Sequence, residues 1–335
     1  MNSSSSIAPR AIGDERIPTI DFAAYRDGTQ AERDALVDAL GRAAEVYGFV
    51  LIVGHGISPD VLRGGFEAGS TFFSLPEEIK RQMLETGSDR GYQPMFDNLR
   101  DDGKPSAQEG YTMGHPVPPT DRSLIGEAFY APTPWPDLPD FQARFEALYG
   151  AMFALGRDLL GALALHLGAR ADFFDAALVD TYSHMRINHY PPHETVSHVA
   201  DEGVFAHHDE SLLTLLMQDG NSGLQVMGND GAWIDVEPNR DAVVVNVGKM
   251  LRHWTGGRYN AALHQVINSS GRDRYSIPLF MHPGLRTVVD PRDLVGGVEP
   301  DPRYPPIVAG ATVHASFAAT RASWKQAEQG AAVEG

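Results

Sequence analysis

Between residues 182 and 281 the chain is a succession of short β-forming runs: SHMRINHY, SLLTLLMQ, GLQVM, AWIDV, AVVVNVG, AALHQVIN and RYSIPLFM. Turn-forming stretches (DGNSG, GNDGA, EPNRD, TGGRY, SSGRDR) break them at short, fairly regular intervals. Such a rhythm leaves no room for the helical crossovers that parallel strands need, so it predicts a sandwich, a jelly roll or a barrel. The first half reads differently. Residues 29–47 carry Thr29 as an N-cap, Leu36, Leu40, Ala43 and Ala44 on one stripe, and Gly48 as a stop, which predicts a helix. FVLIVGH (49–55) predicts a buried strand, and Ser58-Pro59 opens a second capped helix. Phe141, Phe145, Leu148, Met152, Leu155, Leu159 and Leu163 step by three and four along 140–167, a stripe that reads as core packing.

No internal repeat or low-complexity linker divides the chain, so the helical half is expected to pack on the β core as one catalytic unit. The expected divisions are a disordered start (1–16), an N-terminal region of helices and strands (17–135), a long helix with the β core (136–290) and a C-terminal segment with a helix (291–335).

Composition narrows the chemistry. With 42% hydrophobic and 21% charged residues the chain reads as an ordinary globular protein. A formal charge of −17 without any run of Lys or Arg argues against nucleic acid or an anionic membrane as partner and favours a small molecule. The absence of cysteine excludes disulfides, thiolate nucleophiles, Cys-ligated zinc and iron–sulfur clusters, so any metal must be held by His and carboxylate. No segment is expected to approach a membrane-spanning length, and the polar start MNSSSSIAPRAIGDER lacks the apolar stretch of a secretory signal. These features predict a cytoplasmic protein, monomeric or weakly homo-oligomeric.

The stretch FAHHDESLLTLL (205–216) offers two registers, His207 with Asp209 or His208 with Glu210. Residues two apart on a strand share a face, so either pair could supply two ligands. His264, 55 positions after Asp209 in YNAALHQVIN, could supply a third. Two histidines and one carboxylate on one face of an octahedron leave three positions for co-substrate and O2, the pattern of non-haem Fe(II) oxygenases. Ten residues beyond His264 stand Arg274 and Ser276, again two apart; a guanidinium fork with a neighbouring hydroxyl suits a carboxylate. Asn188 and Tyr190 in RINHYPP follow the same period-two logic.

In this order the motifs resemble the isopenicillin N synthase-like family of Fe(II)- and 2-oxoglutarate-dependent oxygenases. IPTIDF, YGFVLIVGHGIS and FFSLPEEIK extend the resemblance over roughly residues 17–290. It implies a mainly β fold with α, a distorted double-stranded β-helix (jelly-roll) core with a helical N-terminal region and a C-terminal helix. It implies His207, Asp209 and His264 as iron ligands; Thr214, five residues after Asp209 as in the family pattern, selects His207 over His208. Arg274 and Ser276 then match the residues that bind the distal carboxylate of 2-oxoglutarate, with Asn188 and Tyr190 beside the same co-substrate. The implied reaction takes Fe(II), 2-oxoglutarate and O2 to succinate, CO2 and an oxidised small molecule. Hydroxylation is the commonest outcome, and desaturation, ring closure and epoxidation use the same residues.

His208 and Glu210 are expected to face away from the metal, and His184, His189, His253 and His282 to be surface or core residues. His193 and His198 are expected near the mouth. The stretches RGYQPMFDN and QEGYTMGHP are expected to reach that mouth as well, and Tyr92, Tyr111 and Phe280 are the candidate substrate contacts. The chain departs from the family pattern at Lys249, Gln265 and the TGG of 255–257. Three alternatives stay open: a same-family oxidase that uses no 2-oxoglutarate, a zinc hydrolase on the same three residues, and a non-catalytic binder on the same scaffold.

Overall fold

The computed structural model describes residues 17–84, 89–97, 105–125, 127–196, 203–268, 270–294 and 301–320. The expectations for 1–16 and for His198 lie outside the described residues. Twelve strands form two sheets: β1 (Thr19–Asp21), β2 (Phe49–Val53), β3 (Gly91–Gln93), β4 (Glu109–Met113), β5 (His184–Tyr190), β6 (Val204–His207), β7 (Leu213–Gln218), β8 (Leu224–Met227), β9 (Trp233–Asp235), β10 (Val243–Val247), β11 (His264–Val266) and β12 (Arg274–Met281). The major sheet runs β1-β2-β10-β7-β12-β5-β4-β3 and the minor sheet β6-β11-β8-β9. Apart from the parallel β1–β2 pair, neighbours in both sheets are antiparallel, and the two sheets face one another as a distorted jelly roll.

Helices cover the outer face of the major sheet. Helix Gln30–Val46 begins in a capping box, where the Thr29 side chain accepts from the Glu32 N–H and Glu32 accepts from the Thr29 N–H; such a cap is worth about 1 kcal/mol. Helix Pro59–Phe73 is capped by Ser58 and has proline in its first turn. Helix Phe141–His166 packs on both of these and on β7 and β12. Its close seat on the sheet requires Gly156, since a Cβ there would lie 1.9 Å from Met281 Sδ. By length and composition this 26-residue helix could cross a membrane, which corrects the expectation that no segment approaches that length. Its apolar stripe is spent inside the protein: Phe145, Leu148, Met152 and Leu159 are wholly buried, and each such side chain contributes about 1.5–3 kcal/mol of burial. A C-terminal helix spans Ala309–Thr320.

Pairing register arranges the inner face of the major sheet in rows. One row crosses five strands through Phe49, Asn246, Thr214, Phe280 and His184. A second crosses Gln218, Ser276, Asn188, Gly110 and Gln93. Arg274 stands directly opposite Tyr190 in a third. All of the first row, Ser276, Asn188 and Gln93 of the second, and Arg274 and Tyr190 of the third line the cavity between the sheets.

Candidate metal centre and co-substrate pocket

On the minor sheet His207, the last residue of β6, pairs with His264, the first of β11. Their rings lie 4.3 Å apart. Asp209 is two residues beyond the strand, and its Oδ1 lies 3.4 Å from His207 Nε2 and 3.7 Å from His264 Nε2. One ligand atom from each of the three falls within 4.8 Å of the others.

Each of the three is held by its other polar atom. His207 Nδ1 is 2.9 Å from the Phe205 carbonyl and His264 Nδ1 is 3.3 Å from that of Ala262. Donation to these carbonyls puts a proton on Nδ1 and turns Nε2 of each ring towards Asp209, the orientation in which histidines bind a metal. Asp209 Oδ2 accepts from Thr214 Oγ1 at 2.6 Å and from Asn246 Nδ2 at 2.8 Å, which leaves Oδ1 for the imidazoles. Ser211 supports Thr214 at 2.9 Å. Burial pushes the Asp209 carboxyl up, but the two histidines and the Thr214 hydrogen bond outweigh it and hold the group far below the usual carboxylate range. Burial and then the neighbouring His207 push His264 down to about 4. His207 moves up, because its hydrogen bond and charge interaction with Asp209 exceed the cost of burial.

The co-substrate end of the cavity is built by the major sheet. Arg274 is wholly buried. Its Nη2 donates to Gln218 Oε1 at 3.0 Å, its guanidinium carbon lies 5.0 Å from the Tyr190 ring centre, and Nε and Nη1 have no hydrogen-bond partner among the described residues. Burial lowers its pKa. Unpaired donors on a buried cation are costly, and a carboxylate that accepts both would relieve the cost. Ser276, Asn188 and Tyr190 line the same cavity. Asn188 Oδ1 accepts from Arg186 Nε at 2.6 Å.

The structure thus brings His207, Asp209, His264, Arg274, Ser276, Asn188, Tyr190 and Phe280 to one cavity of about 250 Å³. It does not bring Tyr92 or Tyr111. Both are wholly buried outside the cavity, so their assignment as substrate contacts is corrected. Tyr92 donates to Glu109 at 2.6 Å, and Tyr111 donates to the Pro134 carbonyl at 2.7 Å while its ring packs against Phe72 and Phe141. β4 is buried on both faces, so alternation along it separates no inside from outside.

His208 and Glu210 stay out of the three-residue cluster but line the cavity, because β6 ends at His207 and strict alternation ends with it. Glu210 pairs with Lys249 at 2.7 Å, which gives the departure at Lys249 a partner at the rim. His193 is not among the lining residues. His184, Arg186, Gln93, Gln108 and His282 are, and sequence reasoning did not single them out for the site. For His184, Arg186 and His282 the signal was present in parity with Asn188 and Ser276. In the TGG turn Gly256 has φ of 60°, a conformation that Asn shares with Gly, so this departure from the family pattern costs little.

Comparison with known proteins agrees with this geometry. A family described as the 2OG-Fe(II) oxygenase superfamily matches residues 181–283, and one described as the non-haem dioxygenase in morphine synthesis N-terminal matches residues 17–138. A 2-oxoglutarate-Fe(II) type oxidoreductase of Aspergillus fumigatus is 34% identical over 278 residues, 78% of this chain and 81% of that protein. The 2-oxoglutarate-dependent dioxygenase citB of Monascus ruber is 34% identical over 292 residues, 84% of this chain and 88% of that one. The crystal structure of a full-length Neurospora crassa protein in complex with alpha-KG and thymine is similar with a TM-score of 0.81 and 25% identity, covering 92% of this chain and 98% of that one. The chain belongs to the 2OG-Fe(II) oxygenase superfamily and is a 2-oxoglutarate/Fe(II)-dependent dioxygenase.

Proposed function

We propose that this enzyme hydroxylates a small organic molecule, with His207, Asp209 and His264 holding Fe(II) and with Arg274 and Ser276 holding the distal carboxylate of 2-oxoglutarate. The observation that carries the residue assignment is the wholly buried Arg274, whose Nε and Nη1 have no hydrogen-bond partner among the described residues, in the cavity that also holds the His–Asp–His cluster. The donor set, two imidazole nitrogens and one carboxylate oxygen, suits Fe(II).

Bound iron and 2-oxoglutarate would supply the electrons that activate O2. The protein's own groups orient and exclude. Thr214 and Asn246 hold Asp209 so that one oxygen is presented, and the Phe205 and Ala262 carbonyls hold the imidazole tautomers. Arg274 in its buried seat strengthens a carboxylate contact that water would weaken. Tyr190 under the guanidinium and Leu216, Leu224 and Val266 around it keep that end dry. The charge of −17 favours a small-molecule partner over nucleic acid or an anionic membrane, and a monomeric or weakly homo-oligomeric state.

Anaerobic addition of 2-oxoglutarate to the Fe(II)-loaded protein tests the assignment. The visible charge-transfer absorption of the chelate should appear in the wild type and need far more 2-oxoglutarate in Arg274→Ala. Its absence in the wild type, or unchanged affinity in the variant, overturns the binding mode. Product formation without added 2-oxoglutarate would make the protein a same-family oxidase, and activity with zinc and no O2 would make it a hydrolase.

A further inference from the structure

We infer that Gln218 is a positioning residue for the co-substrate: its side-chain oxygen fixes the Arg274 guanidinium without neutralising it, and so sets the preference for a 2-oxo diacid over a 2-oxo monoacid. The inference rests on the reading that Arg274 holds the distal carboxylate of 2-oxoglutarate.

Alternation along β7 puts Gln218 on the same face as Thr214 and Leu216, both of which line the cavity. Register sets it directly opposite Ser276 of β12, two residues from Arg274 on that strand. Gln218 is only 1% exposed, and its Oε1 accepts from Arg274 Nη2 at 3.0 Å. A guanidinium only donates, so this contact decides which way round the amide lies. The amide nitrogen is left on the other arm, where Nε2 has no hydrogen-bond partner among the described residues. A buried donor without a partner is costly. An apolar side chain at this position would carry no such donor, and a glutamate would satisfy the guanidinium more strongly. Of these three choices, only glutamine supplies an acceptor and no charge.

The other surroundings of Arg274 have the same character. The Tyr190 ring covers the guanidinium, with the guanidinium carbon 5.0 Å from the ring centre. Asp219 favours the cation, but its oxygens are committed to the turn that follows β7. Oδ1 accepts from the Asn221 N–H at 2.9 Å, and Oδ2 accepts from Asn221 Nδ2 at 3.0 Å and from the Tyr275 N–H at 2.7 Å. Among the described residues no carboxylate is hydrogen-bonded to Arg274, and its Nε and Nη1 are unpaired. The guanidinium is thus held by one neutral hydrogen bond and one aromatic face, with its charge left for a ligand. A planar fork gains most from a carboxylate when it is already aligned for it. A 2-oxo acid that ends in a methyl group gains nothing from this arrangement and leaves the buried donors unpaired.

The test titrates the anaerobic Fe(II)-loaded protein with 2-oxoglutarate and with 2-oxopentanoate, which carries a methyl group in place of the distal carboxylate, and reads the chelate absorption. The wild type should favour 2-oxoglutarate by about thirtyfold or more. Gln218→Glu sets a carboxylate on the guanidinium and should bring that ratio to within about threefold, while 2-oxopentanoate affinity itself moves by less than about threefold. Gln218→Met, close in shape but without the acceptor, should lower the ratio by about fivefold or more. A merely structural role would weaken both acids in parallel and leave the ratio unmoved. A wild-type ratio in Gln218→Glu or in Gln218→Met, or parallel loss of both acids in Gln218→Met, overturns the inference. Should Gln218→Glu bind neither acid, the ratio in Gln218→Met decides. Equal binding of the two acids by the wild type would instead overturn the assignment of Arg274.

Discussion

In the metal centre His207, Asp209 and His264 each give a second atom to a protein partner, so the cluster is organised by the fold alone. At the co-substrate end Arg274 is wholly buried, yet two of its nitrogens have no hydrogen-bond partner among the described residues. One region is complete in the apo protein apart from its ion. The other buries a cation that Gln218 and the Tyr190 ring hold in part, and an anionic ligand would complete its set of partners. Ligand removal and side-chain removal should consequently have opposite effects on stability in the two places.

The largest expected effect lies in the metal centre. His207→Ala should lower iron affinity by more than about a hundredfold, beyond the range for a merely supporting residue, while His208→Ala keeps it within about threefold. Equilibrium metal competition measures both, and the reverse result would move the ligand register by one residue. Next, Arg274→Met should cost 2-oxoglutarate affinity about thirtyfold or more and yet stabilise the apo protein by about 1–3 kcal/mol in denaturant titration. A destabilised apo variant would break the contrast between the two regions. Thr214→Val, which removes one donor from Asp209 Oδ2, should weaken iron binding by about tenfold without a matching loss of stability. Tyr92→Phe should cost about 1 kcal/mol of stability and leave kcat/KM unchanged, whereas Phe280→Ala should lower kcat/KM; equal kinetic effects would return Tyr92 to the site.

The smallest effect is a pH dependence behind the co-substrate wall. His189 faces outward between Asn188 and Tyr190, with Nδ1 2.8 Å from Glu109 and Nε2 2.9 Å from Asp273, and Lys80 pairs with Glu109 at 2.6 Å. Burial lowers the pKa of His189, but the two carboxylates outweigh it and the net shift is upward from 6.5. The histidine's contribution is therefore full below 6.5 and lost as pH rises through the higher folded value. Glu109 is raised by burial but held below 4.5 by His189, Lys80 and Tyr92, so its contribution is present above 4.5 and lost as pH falls through the lower folded value. His189→Gln should flatten the alkaline limb of the stability profile and leave the acid limb of Glu109 weakened but present.

Much of the fold and of the site is legible in the sequence. The β rhythm after residue 182, the Thr29 and Ser58 caps and the His207, Asp209, His264, Arg274 and Ser276 constellation depend on spacing, which sequence displays directly. Parity carries more than the motifs do: His184 and Arg186 share a face with Asn188 on β5, and His282 stands in parity with Ser276 just beyond β12. Tyr92 and Tyr111 are not separable from cavity aromatics by pattern, because a strand buried on both faces has no polar side to mark the outside. Lys80 and Glu109 meet across 29 residues of chain, and nothing local announces such a pair. Helix Phe141–His166 looks by length and composition like a span, and only the tertiary structure shows its apolar stripe absorbed by the core.

Every second residue from Arg274 to Phe280 on β12, and from His184 to Tyr190 on β5, lines the cavity. A single-residue insertion or deletion upstream of Arg274 that slipped β12 in its pairing would invert that whole side of the cavity at once, exchanging Arg274, Ser276 and Phe280 for Tyr275, Ile277 and Leu279. Descendants of this sequence can thus replace lining side chains such as Phe280 one at a time without disturbing the rest. Changes of length within these two strands are closed to them, and variation in length belongs to the connecting loops.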